Sequence, residues 1–329
     1  MEKTKRLLSL DILRGITVAG MILVNNGWGE SFEMLGHSKW NGMTPCDLVF
    51  PFFLFIMGVS TYLSLSKNNF KPNRQIVSKI VRRTIILFAI GLFINWFELA
   101  TKGDWNCLDH LRVWGVMQRI AVCYSAVSLV VLTVNHKWML HIIVAVLLIY
   151  TIIIIAGNGY AQDASNIIAR VDAAIFGSQH LYHKSPVDPE GLLSTIPAIA
   201  HVLIGFQVGK CLKKDTPIEK KTLHVMLIAA ALIIAGYLLM FAVPLNKRIW
   251  SPSYTMLTCG MASAILGLLI FCIDIKKQEK AFASFSVFGI NPLFLYVLSE
   301  LLAITLKRIG ASQLVFDTIN SGISHPQLA

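Results

Sequence analysis

The stretch HSKWNGMTPCDLVFPFFLFIMG, residues 37–58, joins a polar segment directly to an apolar one. His37, Asn41 and Asp47 stand ahead of the apolar run. An imidazole titrates near neutral pH and can serve as a general base or as a nucleophile. A carboxylate such as Asp47 can orient that ring, or it can cap the helix that begins after it. A histidine in a polar loop is more often a solvated surface group, so residue type alone leaves both roles open. Trp40, and Trp250 and Tyr254 in VPLNKRIWSPSY, are aromatics of the kind that anchor at a membrane mouth.

Other polar residues fall where lipid would exclude them, which makes each a functional candidate. SLDILRG sets Asp11 and Arg14 three residues apart on one helix face. They read as an internal ion pair or as an anion site on the inner side. GVMQRI sets Gln118 and Arg119 in the outer half of a span, as an interhelical hydrogen-bond network or as ligand contacts. GINPLF brings Asn291 and Pro292 into a span, where a kink frees backbone groups. The longest loop, about 157–191, holds His180, His183, Asp188 and Glu190. Loops of that length are usually functional or disordered. Its two carboxylates would cap the next helix and complement its positive end.

These residues need elements to hold them, and the composition says which. Of 329 residues, 55% are hydrophobic and 14% charged, against about 25% charged in soluble domains. Runs of about 20 apolar residues, the length that crosses a bilayer, fall near 8–27, 46–66, 80–97, 113–134, 138–156, 192–211, 222–243, 254–273 and 283–302. The expected fold is all-α, a polytopic transmembrane bundle of about nine to ten helices forming one domain over 1–329. No internal repeat or low-complexity linker interrupts it. Asp11 and Arg14 interrupt the first run, so an uncleaved helix is expected there rather than a signal peptide.

The net charge of +11 would suggest nucleic acid in a soluble protein. Here the positive-inside rule accounts for it. With a cytoplasmic amino terminus, eighteen Lys and Arg fall on the inner side and nine on the outer, with Arg14 and Arg119 inside spans. No nucleic-acid partner is expected. The six cysteines lack metal-ligand spacing and read as apolar fillers. Cys46 and Cys107 share the outer side, where a disulfide between them is conceivable.

The blocks SLDILRG, VNNG, HSKWNGMTPCDLVFPFFLFIMG, GVMQRIAVCY, FGSQHLY, DPEGLLSTIPAIAHVLIGFQVGK, VPLNKRIWSPSY and GINPLFLYV, in this order, resemble the heparan-α-glucosaminide N-acetyltransferase family and its bacterial NagX-like members. They span nearly the whole chain. The family pattern leads to the expectation of one more hydrophobic span after ISHPQLA. The resemblance implies transfer of acetyl from cytosolic acetyl-CoA to the amine of glucosamine, or of a glucosamine-containing glycan, across the membrane. It implies His37 as the catalytic histidine, Asn25 or its neighbour Asn26 as the nearby amide, and Asp47 as the acidic partner. Arg14 and Arg83, at the inner ends of helices, and Gln118 and Arg119 would hold acetyl-CoA; Arg83 would otherwise snorkel to lipid headgroups. Trp40, Asn41, Asp188, Glu190 and Trp250 would face the acceptor.

Amine acetylation needs a neutral amine, which a histidine base can supply; histidine could instead carry the acetyl group itself. An asparagine could donate to the oxyanion of the tetrahedral intermediate. No metal is expected. The implied setting is a bacterial inner membrane, multi-pass, with the amino terminus cytoplasmic and a homodimer suggested by the family. The rival reading is a transporter of N-acetylglucosamine or a related amino sugar. Transporters typically show inverted repeats and a midplane polar site, whereas here the polar cluster lies at the outer mouth.

Overall fold

In a computed structural model of the chain, the described residues are 7–26, 32–182 and 185–320. The helices are α1 (Leu8–Asn25), α2 (Val49–Leu65), α3 (Arg74–Ala100), α4 (Val116–Thr133), α5 (Met139–Ala156), α6 (Ile167–Phe176), α7 (Thr195–Lys213), α8 (Ile218–Leu239), α9 (Pro252–Leu269), α10 (Ala283–Ile290), α11 (Pro292–Arg308) and α12 (Ala311–Asn320). No strand occurs among the described residues.

Seven of these, α1, α2, α4, α5, α7, α8 and α9, are long and apolar enough to cross a membrane. An eighth span exists if Glu279–Ile290 and Pro292–Arg308, bent by 74°, count as one. The bend falls where GINPLF predicts it, because a proline cannot continue the ladder of the helix before it. The expected span at 80–97 lies in α3, which carries Arg74, Lys79, Arg82 and Arg83 in its first ten residues. Against the nine to ten spans expected, seven helices among the described residues, or eight with the bent pair, qualify by length and composition alone.

α7 is the central element, with 78% of its apolar window buried, against 28% for α5 and 22% for α8. It touches α2, α4, α5, α8 and α9. Glycine permits its approach to α2: a Cβ at Gly205 would lie 2.2 Å from the Phe55 carbonyl oxygen, and one at Gly58 2.1 Å from that of Val202. Small residues that let backbones meet are the usual device of membrane helix packing. The outer helices turn Leu148, Ile152 and Ile155 of α5 and Leu223, Leu227 and Ile234 of α8 outward. Such faces suit lipid tails, and the chain is a multi-pass membrane protein.

The loops after α1, α3, α5 and α8 meet at one end of the bundle. Trp40 Nε1 donates to the Tyr160 carbonyl at 3.2 Å, and Gly42 N donates to the Leu245 carbonyl at 2.7 Å. Tyr160 Oη donates to the Pro244 carbonyl at 2.9 Å. Cys46 and Cys107 both carry free thiols, so no disulfide joins them.

Candidate active site

A short 3-10 turn, Pro45–Leu48, feeds α2 and starts with a reciprocal capping box between Thr44 and Asp47. Asp47 Oδ2 accepts from Ser38 N, Thr44 N and Thr44 Oγ1, each at 3.1 Å. The other oxygen, Oδ1, lies 2.8 Å from His37 Nδ1. Capping and orienting were competing readings of Asp47; the carboxylate does both, one with each oxygen.

Two further side chains reach His37. Lys247 Nζ lies 2.9 Å from His37 Nδ1 and 3.1 Å from Asp47 Oδ1. Cys46 Sγ lies 3.1 Å from the same ring nitrogen. Asp47 is fully buried, whereas the His37 side chain is 54% exposed. The closest partners gather at Nδ1, while Nε2 lies 3.4 Å from Lys247 Nζ and 3.8 Å from Cys46 Sγ on a half-exposed ring. A neutral ring that donates from Nδ1 to Asp47 keeps its lone pair on Nε2. His37, Cys46 and Asp47 bring one donor each within 4.8 Å of one another. The Lys247 ammonium, 3.1 Å from Asp47 Oδ1, sets a positive charge beside the same three residues.

Neighbouring residues tie the described part of this loop to the bundle. Trp40 is buried with Tyr150, Ile154, Ile168 and Ile249 in a small apolar cluster of its own. Asn41 is exposed and accepts at Oδ1 from Asn246 Nδ2 at 3.2 Å. Asn25 donates to Glu300 Oε1 at 2.9 Å, and Asn26 to the Ile22 carbonyl at 2.8 Å. Neither asparagine is hydrogen-bonded to His37. Trp250 is not at the surface: it is 1% exposed, with φ at +52°, and meets Phe50, His201 and Tyr254 ring to ring. A bulky residue in left-handed backbone is uncommon and tends to occur at functional sites.

Beside this lies a buried ionic layer. Arg112 Nη2 donates to Asp188 Oδ1 at 2.6 Å and to Glu190 Oε2 at 2.9 Å. Burial pushes the Glu190 carboxyl up, but Arg112 and Arg119 together hold it below its ordinary value. The proposed capping of α7 by these carboxylates is not what forms. Its N-cap is Ser194, and Asp188 instead takes its own loop's Glu190 N at 2.9 Å and Tyr182 N at 3.1 Å. Arg119 is fully buried, donates to the Gly191 carbonyl at 2.9 Å and to Ser194 Oγ, and lies 5.1 Å over the Trp250 ring. Its Nε and Nη1, like Gln118 Nε2, have no hydrogen-bond partner among the described residues. His180 Nδ1 meets the Leu111 carbonyl at 2.7 Å. His183 lies outside the described residues.

The two inner candidates separate. Arg14 pairs with Asp11 at 2.9 Å and donates to Ser60 Oγ at 2.9 Å, so the ion pair predicted from SLDILRG forms and also ties α1 to α2. Arg83 is not at a helix end. It lies 4.5 Å from the Tyr124 ring, level with the middle of α4, and lines a cavity of about 70 Å³ with Met21, Phe50, Met117 and Tyr296.

Residues 6–243 match the profile of the catalytic part of heparan-alpha-glucosaminide N-acetyltransferase. The chain belongs to that family. The human and mouse proteins named heparan-alpha-glucosaminide N-acetyltransferase are each 29% identical to it. The human alignment covers 89% of this chain and 52% of the relative; the mouse alignment covers 92% and 54%. The chain thus spans about half the length of these N-acetyltransferases. His37, Cys46 and Asp47 lie inside the family match; Lys247, Trp250 and Tyr254 lie just past its end. Reading by spacing passed over Lys247 and Arg112, which were counted only as loop charges. Lys247 did stand in VPLNKRIWSPSY, a block quoted for the resemblance, and that was the available signal.

Proposed function

We propose that this chain is a transmembrane N-acetyltransferase that moves acetyl from cytosolic acetyl-CoA to the amine of glucosamine, or of a glucosamine-containing glycan, on the periplasmic side of a bacterial inner membrane. The observation that carries the reading is the His37–Asp47 dyad at 2.8 Å, at an exposed bundle end and inside the segment that matches the family. The relatives' printed name supports the acceptor class. The bias of eighteen to nine basic residues supports the orientation.

In this reading Asp47 holds the ring with Nδ1 protonated, and Nε2 takes a proton from the acceptor ammonium. The neutral amine attacks the thioester carbonyl, the C–S bond breaks, His37 returns its proton to the departing thiolate, and the second proton shed by the acylated nitrogen goes to solvent. A covalent acetyl-histidine at Nε2 is the other route open to the same geometry. Acetyl-CoA would approach from the opposite end; a small cavity inside the bundle, lined by Arg83 and Phe50, lies on the side of α2 that leads to Asp47. Phe50 stands one helical turn from Asp47. The unpaired donors of Gln118 and Arg119 support a place for the donor's carbonyls nearby. Arg14 is engaged with Asp11 and Ser60, so its part in binding the donor would be to hold α1 against α2.

The test is direct. Purified protein is incubated with labelled acetyl-CoA and glucosamine, and labelled N-acetylglucosamine is measured. Its formation is the expected result. Its absence, with labelled sugar taken up into sealed vesicles instead, would return the protein to the transporter reading.

A further inference from the structure

The chain places one of its own primary amines against the dyad. Lys247 Nζ stands 2.9 Å from His37 Nδ1, 3.4 Å from His37 Nε2 and 3.1 Å from Asp47 Oδ1. With Nδ1 donating to Asp47, Nε2 is the nitrogen that takes a proton, and Lys247 Nζ reaches it at 3.4 Å while its charge stays beside the carboxylate, the two contacts that an amino-sugar ammonium would need. The placement is built rather than incidental. Gly42 N donates to the Leu245 carbonyl at 2.7 Å, and Asn246 Nδ2 donates to Asn41 Oδ1 at 3.2 Å. Asn246 N donates to Ser251 Oγ at 3.0 Å, at the N-cap of α9. The segment before Lys247 is thus zipped to the segment after His37. The Lys247 side chain is only 12% exposed, against 54% for His37.

We infer that Lys247 is an internal acetyl acceptor: when no amino sugar occupies the site, the protein acetylates Lys247 Nζ from acetyl-CoA. The inference rests on the transferase reading above. The Nζ–C bond forms as the thioester C–S bond breaks. The lysine ammonium loses two protons, one passing through His37 to the departing thiolate and one to solvent. The products are a neutral amide and the free thiol of CoA, and no oxidant or further reactant is needed. The amide carries no charge to pair with Asp47, so the modification leaves Oδ1 of the carboxylate to His37. An acceptor amine and Lys247 compete for one place, and saturating glucosamine protects Lys247.

The experiment uses the full chain in nanodiscs with labelled acetyl-CoA, with and without glucosamine. N-acetylglucosamine is measured, and protein label stable to hydroxylamine is mapped by peptide mass spectrometry. Hydroxylamine removes acetyl-imidazole and acetyl-thioester but leaves an amide. The expected result is an amide on Lys247 that exceeds exposed Lys39 by about tenfold or more, a small part of the advantage a positioned amine gains over a free one. Glucosamine should suppress it, and the His37→Ala variant, folded by its melting transition, should lose it. Lys247 labelled no more than Lys39 while the sugar is acetylated overturns this inference and leaves the transferase reading standing. Equal Lys247 labelling in His37→Ala also overturns it, because the reaction is then simple chemical acetylation. Failure to acetylate either the sugar or the protein overturns both.

Discussion

Tyr254 Oη donates a 2.5 Å hydrogen bond to the backbone carbonyl of Asp47, so a fully buried phenol of α9 fixes the turn that carries the carboxylate of the dyad. Ser251 caps the same helix one turn earlier, and Pro252 starts it. Lys247 and Tyr254, on either side of that cap, therefore reach His37 and Asp47 from one rigid origin.

Tyr254→Phe leaves the carbonyl of Asp47 buried without its donor, at a cost of about 1–3 kcal/mol. Thermal unfolding in detergent should show the loss. Turnover of acetyl-CoA should fall more than the apparent affinity for either substrate changes, because the carboxylate that orients His37 is displaced. Wild-type turnover in a destabilised variant would mean that the dyad does not depend on this bond.

The Arg112 pair with Asp188 and Glu190 is structural in this account. Arg112→Met strands two buried carboxylates, and breaking a buried pair typically costs about 3–5 kcal/mol. The variant should melt well below wild type. Glu190→Gln, which removes one of the two carboxylates, should change stability more than the requirement for glucosamine. A raised glucosamine requirement with unchanged melting would move Glu190 into the acceptor site.

Asp172 on α6 accepts from Leu192 N through Oδ1, while its buried Oδ2 has no partner among the described residues. Burial pushes its carboxyl up to about 6 from 3.8. A raised carboxyl binds its proton more tightly in the folded state. Its contribution is complete below the unfolded value and is lost as pH rises from about 4 through about 6. The upper bound is about 3 kcal/mol, from about two units. Melting of wild type should decline relative to Asp172→Asn over that window and run parallel above it. Parallel curves throughout would show that Asp172 titrates normally.

Orientation is open to labelling. Lys39 and Lys214 are both exposed, at opposite ends of the bundle. Lys39→Cys should react with an impermeant maleimide in intact cells, above the background of the native thiols, and Lys214→Cys only after permeabilisation. The reverse pattern inverts the topology.

What could be read from the sequence followed from range. Long apolar runs mark helices without any tertiary information, and α1, α4 and α5 begin and end within about three residues of the spans expected, the usual boundary error. α6 was hidden because its ten residues fall inside the stretch 157–191 that reads as one long loop; Asn166 caps it through a bond to Ile168 N at 2.8 Å. His37 and Asp47 are ten residues apart and stood in one motif. Lys247 is 210 residues from His37, and Arg112 76 from Asp188, so only the folded chain brings these charges together. Trp250 misled for a related reason: an aromatic in a loop reads as a surface anchor, yet the turn into α9 folds it inward.

His37→Ala is the measurement that meets the central claim most directly. It removes the imidazole and leaves Asp47 paired with Lys247, so the fold and the binding of acetyl-CoA should persist. Loss of a general base lowers turnover by about 10²–10⁴-fold, and loss of a covalent carrier removes nearly all of it. Labelled N-acetylglucosamine formed by the folded variant should therefore fall at least a hundredfold, the low end of that range. A folded His37→Ala that retained more than about a tenth of wild-type turnover, far above that range, would contradict the account.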